Sequence, residues 1–156
     1  MRVYKHYTPL GLILLAEEEQ RFVKIWLADS DEEQAHRRSP LLPQPYASDL
    51  DLYFRGETVE FNWPLKLVGT PFQKRVWQEL LQIPYGKTTT YKQLGEKIGT
   101  KGYRAVGQAV GANPLIIVVP CHRVLAARGL GGYSCGLEMK QSLLRLEKIL
   151  REERAR

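Results

Sequence analysis

The chain predicts an α+β protein in two parts: a small α+β lobe over residues 1–69 and a helical unit over residues 70–156 containing a helix-turn-helix. Three observations carry that reading. Short apolar runs of strand length fill the first thirty residues, capping boxes recur at Thr70 and Thr90, and the balance of charge turns from acidic to basic near residue 69. A chain of 156 residues with 44% hydrophobic content can build one sizeable core or two small lobes.

Arg2–Tyr7, Gly11–Ala16 and Arg21–Leu27 read as three short strands. The polar turn Glu17-Glu18-Glu19-Gln20 joins the last two, which makes an antiparallel meander. A charged, Pro-rich connection spans Asp29 to Pro45, followed by a short helix from Tyr46 to Phe54 and a strand near Val59 to Trp63. Around Pro64 to Gly69 the pattern becomes helical, which places the boundary there. The sequence has no internal repeat and no low-complexity segment.

Thr70-Pro71-Phe72-Gln73 combines a capping Thr, Pro at the first helical position and Gln three residues after the cap. Phe72, Val76 and Leu80 follow at helical spacing until Pro84-Tyr85-Gly86 stops the chain. Thr90-Tyr91-Lys92-Gln93 opens a second helix with Tyr91, Leu94 and Ile98 on one stripe, and Gly99 ends it. A third helix is expected from about Tyr103 to Ala112, so two short helices flank a tight turn. The last helix carries the stripe Met139, Leu143, Leu146 and Leu150.

No apolar run approaches the ~20 residues that span a bilayer, and the start lacks a charged-then-apolar leader, so a cytoplasmic location without membrane contact is expected. Two cysteines and the separated His6, His36 and His122 give no metal-ligand spacing, so no metal is expected. The net charge of +6 is uneven: residues 1–69 hold 8 basic and 11 acidic side chains, residues 70–128 hold 9 and 2, and the remainder 6 and 4. The middle third therefore suits a polyanion, and its coincidence with the paired helices favours nucleic acid over a merely solubilising surface.

Pro120-Cys121-His122-Arg123-Val124 sets a thiol beside an imidazole and a guanidinium after the apolar run Leu115–Val119. A lone Cys after such a run is commonly a buried structural residue. Neighbouring cations or a base lower a thiol's pKa, however, which makes Cys121 a candidate nucleophile. If residues 120–122 are extended, Cys121 and His122 point to opposite faces, and a bridging water is the natural relay. A histidine base needs a third group to fix its tautomer. Glu147, about 60° from the centre of the last stripe, is the candidate, although it could equally pair on the surface with Arg151.

The outer face of the third helix carries Arg104, Gly107, Gln108, Gly111 and Ala112. Two helical glycines cost roughly 0.5–1 kcal/mol each relative to Ala, so they need a reason: close helix packing, or close approach to a DNA backbone or groove wall. With few long side chains for base contacts, shape-based minor-groove binding suits the face better than major-groove readout. Arg104 sits where the helix dipole disfavours a cation. Asn113-Pro114 suits a helix end in left-handed conformation. Tyr91 is either a core aromatic or a site residue. Tyr133 and Ser134 end a Gly-rich stretch from Gly129, whose plain reading is a flexible loop. Arg123 suits phosphate or structural contacts.

Five ordered pieces add up to more than any one of them. They are Thr70-Pro71-Phe72-Gln73-Lys74-Arg75-Val76-Trp77, Ile83-Pro84-Tyr85-Gly86-Lys87-Thr88-Thr89-Thr90-Tyr91, Arg104-Ala105-Val106-Gly107-Gln108-Ala109 with Asn113-Pro114, the Pro-Cys-His-Arg-Val stretch, and Tyr133-Ser134 with Gly136-Leu137 and Lys140. Over its C-terminal two-thirds the chain resembles the O6-alkylguanine-DNA alkyltransferases. The resemblance implies a ribonuclease H-like first lobe and a winged-helix-like second domain. It implies single-use repair without a cofactor, in which a monomer binds double-stranded DNA through the minor groove and flips out the damaged nucleotide. The alkyl group on O6 of guanine, or less efficiently on O4 of thymine, would pass to Cys121.

The same resemblance makes Arg104 the finger that fills the base stack; Gly107, Gln108, Gly111 and Ala112, which share its face of the helix, and Arg123 are expected on the DNA side with it. Tyr91 would donate a hydrogen bond to the purine, Ser134 would bond its O6, and Tyr133 and Val124 would line the pocket. Asn113 would be a hinge, and Glu147 the buried partner of His122. One position departs from the pattern: Cys135 stands where most relatives carry glycine. It is either a tolerated small residue or near enough to Cys121 for a reversible disulfide. Two other classes compete, a flipped-base reader without catalysis and a helix-turn-helix regulator. Cys121 opposes the first, and the small-sided third helix opposes the second.

Overall fold

The structure, a computed structural model, describes residues 1–133 and 136–150. The chain divides into two compact units: Met1–Val68 with Pro114–Val118, and Gly69–Asn113 with the chain from Val119 onward.

In the first unit, strands β1 (Arg2–Thr8), β2 (Gly11–Glu18) and β3 (Arg21–Leu27) form an antiparallel sheet in sequential order. β2 is central, and Leu12 to Ala16 are all buried rather than alternating, because both faces of the strand are covered. The β2–β3 hairpin turns on Glu19 and Gln20, both with positive φ, tighter than the four-residue turn the sequence suggests. Single bridges from Lys5 to Leu41, Phe22 to Leu65 and Ile25 to Leu115 blunt the outer strands.

Two elements differ from expectation. A short helix α1 (Ser30–Ala35) interrupts the presumed connection, capped by a reciprocal box between Asp29 and Glu32. No strand forms at Val59–Trp63; Phe61 and Trp63 instead join Phe22 and Tyr46 in an aromatic cluster, and Trp63 Nε1 donates to Asp49 on helix α2 (Tyr46–Phe54). Burial of those rings outweighs ladder formation.

In the second unit, α3 (Pro71–Leu80) and α4 (Tyr91–Ile98) begin at complete capping boxes on Thr70 and Thr90. Gly99, at φ 81°, turns the chain from α4 towards α5 (Tyr103–Gly111). That turn is tight, because a Cβ on Gly95 would lie 2.8 Å from the Tyr103 ring. Trp77 Nε1 donates to the Ala109 carbonyl at 2.8 Å and ties α3 to α5. A short parallel pair, β4 (Thr89–Thr90) with β5 (Val124–Leu125), brackets the helices, and α6 (Leu137–Leu146) closes the described chain. The helix ends sooner than its apolar stripe suggests: Glu147 is its C-cap, and Lys148 turns to φ 64°. No helix among the described residues is long and apolar enough to cross a membrane.

Candidate functional site

Cys121, the candidate nucleophile, is presented by turns rather than by a strand. Val118 N–H bonds the Ile116 carbonyl around Ile117, whose φ of 71° is strained for a β-branched residue. Pro120 then forms an inverse γ-turn, with φ −81°, ψ 63° and Cys121 N–H bonded to Val119 O at 2.8 Å. Residues 121–123 follow as one 3-10 turn, which corrects the extended conformation expected for this stretch. Proline fixes the φ that starts it. Asn113, buried, donates its Nδ2 to the same Val119 carbonyl at 2.8 Å, bracing the turn. It does not adopt the left-handed conformation; α5 is closed by Ala112.

Behind Cys121 lies a buried polar group. His122 Nε2 is 2.5 Å from Glu147 Oε2, and Arg123 Nε is 2.7 Å from Glu147 Oε1. Gly86 N–H also donates to Glu147, and Arg123 donates to the Ile83 carbonyl. Burial works to raise the Glu147 pKa, but the hydrogen bonds and charges of His122 and Arg123 outweigh it and hold it at about 2. Burial pushes His122 down, against Glu147 and with help from Arg123 and Lys140. The pair is thus an ionised Glu147 beside a neutral His122, with Arg123 as the cation that keeps the carboxylate charged. An ionised carboxylate only accepts, so Nε2 carries the hydrogen, and the neutral ring presents Nδ1 as its basic nitrogen.

In front of Cys121 opens a cavity of about 230 Å³, lined by Tyr91, Gly107, Val110, Gly111, Cys121, Gly132 and Tyr133. Cys121 itself is only 2% exposed. Tyr91 begins α4, and burial raises its phenol pKa, although the Gly132 backbone opposes this, so the hydroxyl stays protonated and able to donate. A Cβ on Gly111 would meet nothing within 4 Å, and one on Gly107 only the Tyr91 ring at 3.7 Å. Close helix packing therefore does not require these glycines; they leave open space. On the same helix Arg104 and Gln108 are exposed, as is its C-cap Ala112.

Two expected site residues serve differently. Arg123, expected at DNA phosphates or in structural contacts, is 5% exposed with its guanidinium committed to Glu147 and Ile83, so only the structural reading holds. Val124 lies buried in β5 rather than on the cavity wall, and its carbonyl accepts from Lys140. Ser134 and Cys135 lie outside the described residues, so the O6 contact and the disulfide with Cys121 have no geometry here. Sequence reasoning missed Val110 and Gly132 on the wall and gave Lys140 no role. The one signal for Lys140 was a charge set three and four residues before Leu143 and Leu144, on the buried side of α6.

Residues 2–67 match the ribonuclease-like domain, and residues 71–149 the DNA-binding domain, of 6-O-methylguanine DNA methyltransferase. A methylated-DNA–protein-cysteine methyltransferase of Mycolicibacterium paratuberculosis is 44% identical over 146 residues, covering 90% of this chain and 88% of its own. One from Saccharolobus islandicus is 39% identical over 150 residues, covering 96% and 97%. The crystal structure of Mycobacterium tuberculosis OGT in complex with DNA superposes with a TM-score of 0.83 at 38% identity, over 96% of this chain and 94% of that one.

Proposed function

This chain belongs to the 6-O-methylguanine DNA methyltransferase family, and on that footing we propose that it repairs O6-alkylated guanine in DNA by moving the alkyl group onto Cys121. The observation that carries the assignment is the cavity that sets Cys121 among Tyr91, Gly107, Gly111 and Tyr133, with His122 and Glu147 directly behind. At about 230 Å³ it falls below the ~300–1,000 Å³ of drug-sized sites, and suits one extruded base.

In the mechanism, His122 Nδ1 takes the thiol proton through a water molecule, and Glu147 steadies the imidazolium that results. The Cys121 thiolate attacks the alkyl carbon as the C–O6 bond breaks, and the electron pair returns to the purine. Tyr91 donates a hydrogen bond to the ring, which takes up that negative charge. The product is a thioether that no group here cleaves, so each molecule reacts once. The electrophile is an sp3 carbon, and no oxyanion hole is called for.

The outer face of α5 and its cap, with Arg104, Gln108, Gly111 and Ala112 exposed and Gly107 half-buried, would enter the minor groove, and Arg104 would fill the gap left by the flipped nucleotide. Every group in the relay comes from residues 113–147 of a single chain, so a monomer suffices. The test is to incubate the protein with an O6-methylguanine duplex and weigh its peptides. One methyl group should appear on the Cys121 peptide and be absent in Cys121→Ser. Turnover beyond one equivalent of substrate would overturn the assignment.

A further inference from the structure

Lys140 is a fully buried cation whose part so far is only that its charge helps keep His122 neutral; no step of the mechanism uses its hydrogen bonds. An ammonium has three donors, and here they meet three backbone carbonyls: Val124 at 2.6 Å, Leu130, and Gly132 at 3.0 Å. Those acceptors belong to two separate pieces of chain, strand β5 directly after the nucleophile's turn and the Gly-rich segment that supplies Gly132 to the cavity wall. Burying a lysine is costly unless each donor is met. No neutral side chain of similar length offers three donors from one atom, so the site is matched to an ammonium.

The segment it holds is irregular in conformation. Gly129 and Gly131 have φ of 92° and 73°, and residues 129–133 lie in no helix or strand. A Cβ on Gly131 would stand 2.9 Å from the Tyr91 hydroxyl, and the Gly132 backbone bonds that hydroxyl. The loop thus runs between Tyr91 on one side and the Lys140 ammonium on the other. We propose that Lys140 is a positioning residue for base binding: by fastening Leu130 and Gly132 to β5, it fixes the wall of the cavity against which the extruded purine rests. The proposal rests on the reading of that cavity as the base pocket.

The experiment compares wild type with Lys140→Met, of similar length and neutral, by hydrogen exchange and by single-turnover reaction with free O6-benzylguanine. Amides of residues 129–133 should exchange at least tenfold faster in the variant, while those of α3 to α5 stay unchanged. The concentration of O6-benzylguanine giving half-maximal rate should rise at least tenfold, more than the maximal rate falls. Affinity for undamaged duplex, which relies on α5, should stay within twofold. Unchanged loop exchange would overturn the proposal. So would a fall in maximal rate alone, which would put the lysine on the Cys121 chemistry instead.

Lys140→Gln, which keeps two donors without the charge, serves as a second variant and should shift both quantities in the same direction. Loss of cooperative unfolding in both variants would make Lys140 a residue of the fold and overturn the positioning role. Failure of the wild type to accept an alkyl group would instead count against the functional reading, and the exchange data would still decide what Lys140 holds.

Discussion

Glu147→Gln is the sharpest perturbation of the relay, because it keeps the shape of the side chain and removes only its charge. The wild-type carboxyl sits at about 2 against an ordinary 4.5. At 1.36 kcal/mol per pH unit, the ionised form therefore stabilises the fold by about 3 kcal/mol at neutral pH. Removing one member of a buried ion pair gives a similar figure, about 3–5 kcal/mol. For a chain of this size, each kcal/mol moves the midpoint of thermal unfolding by about 2–4 °C, so the variant should melt about 6–12 °C lower at pH 7.

The sign of the pH dependence follows from the direction of the shift. A carboxyl whose folded value lies below its unfolded one contributes fully above about pH 4.5 and loses that contribution as pH falls through about 2. Scanning calorimetry should therefore show wild type and variant furthest apart above pH 5 and converging below pH 3. Without an acceptor-only partner His122 is no longer held with its hydrogen on Nε2, and alkyl transfer should slow by about 100-fold or more, the scale of a lost general base. Equal melting at pH 7, or transfer at the wild-type rate, would refute the placement of charge on Glu147.

Arg104→Ala should slow repair of duplex DNA at least tenfold, yet leave reaction with free O6-benzylguanine within twofold, because a free base needs no extrusion. Equal loss on both substrates, followed by mass spectrometry over time, would place the defect in the pocket instead. Gly131→Ala forces a Cβ into left-handed backbone at a cost of about 1–2 kcal/mol and sets it 2.9 Å from the Tyr91 hydroxyl. It should slow transfer to Cys121 from either substrate at least tenfold, and a wild-type rate would show that the loop yields freely.

What was legible in the sequence was whatever a few adjacent residues decide. Thr70 and Thr90 announce their helices because the capping bonds span only three residues, and Gly99 announces the end of α4 for the same reason. The Asp29–Glu32 box carries the same signature, but it lies in a stretch whose charge and prolines read as connection. Val59–Trp63 has the composition of a strand, yet its rings pack on Phe22 and Tyr46 and no ladder forms, which only the partners could reveal. Burial was the quantity least accessible. Arg123 lies in a basic segment that suits phosphates, and only the fold shows its guanidinium turned inward to Glu147.

That inward turn bears on how a thiol only 2% exposed can react at neutral pH. Burial alone disfavours a thiolate. A neutral base is then needed within one water of the sulfur, and an imidazole is neutral at pH 7 only if its pKa stays at or below that value. Burial of His122 secures this, whereas an ionised Glu147 by itself would pull the other way and protonate the ring. Arg123 resolves the conflict: it keeps Glu147 charged so that the carboxylate still orients Nε2, and its own positive charge opposes protonation of His122. On the proposed mechanism the arginine of the Cys-His-Arg sequence thereby tunes the base while Arg104, the exposed cation of α5, is left to meet DNA, so proton transfer and recognition fall to different arginines.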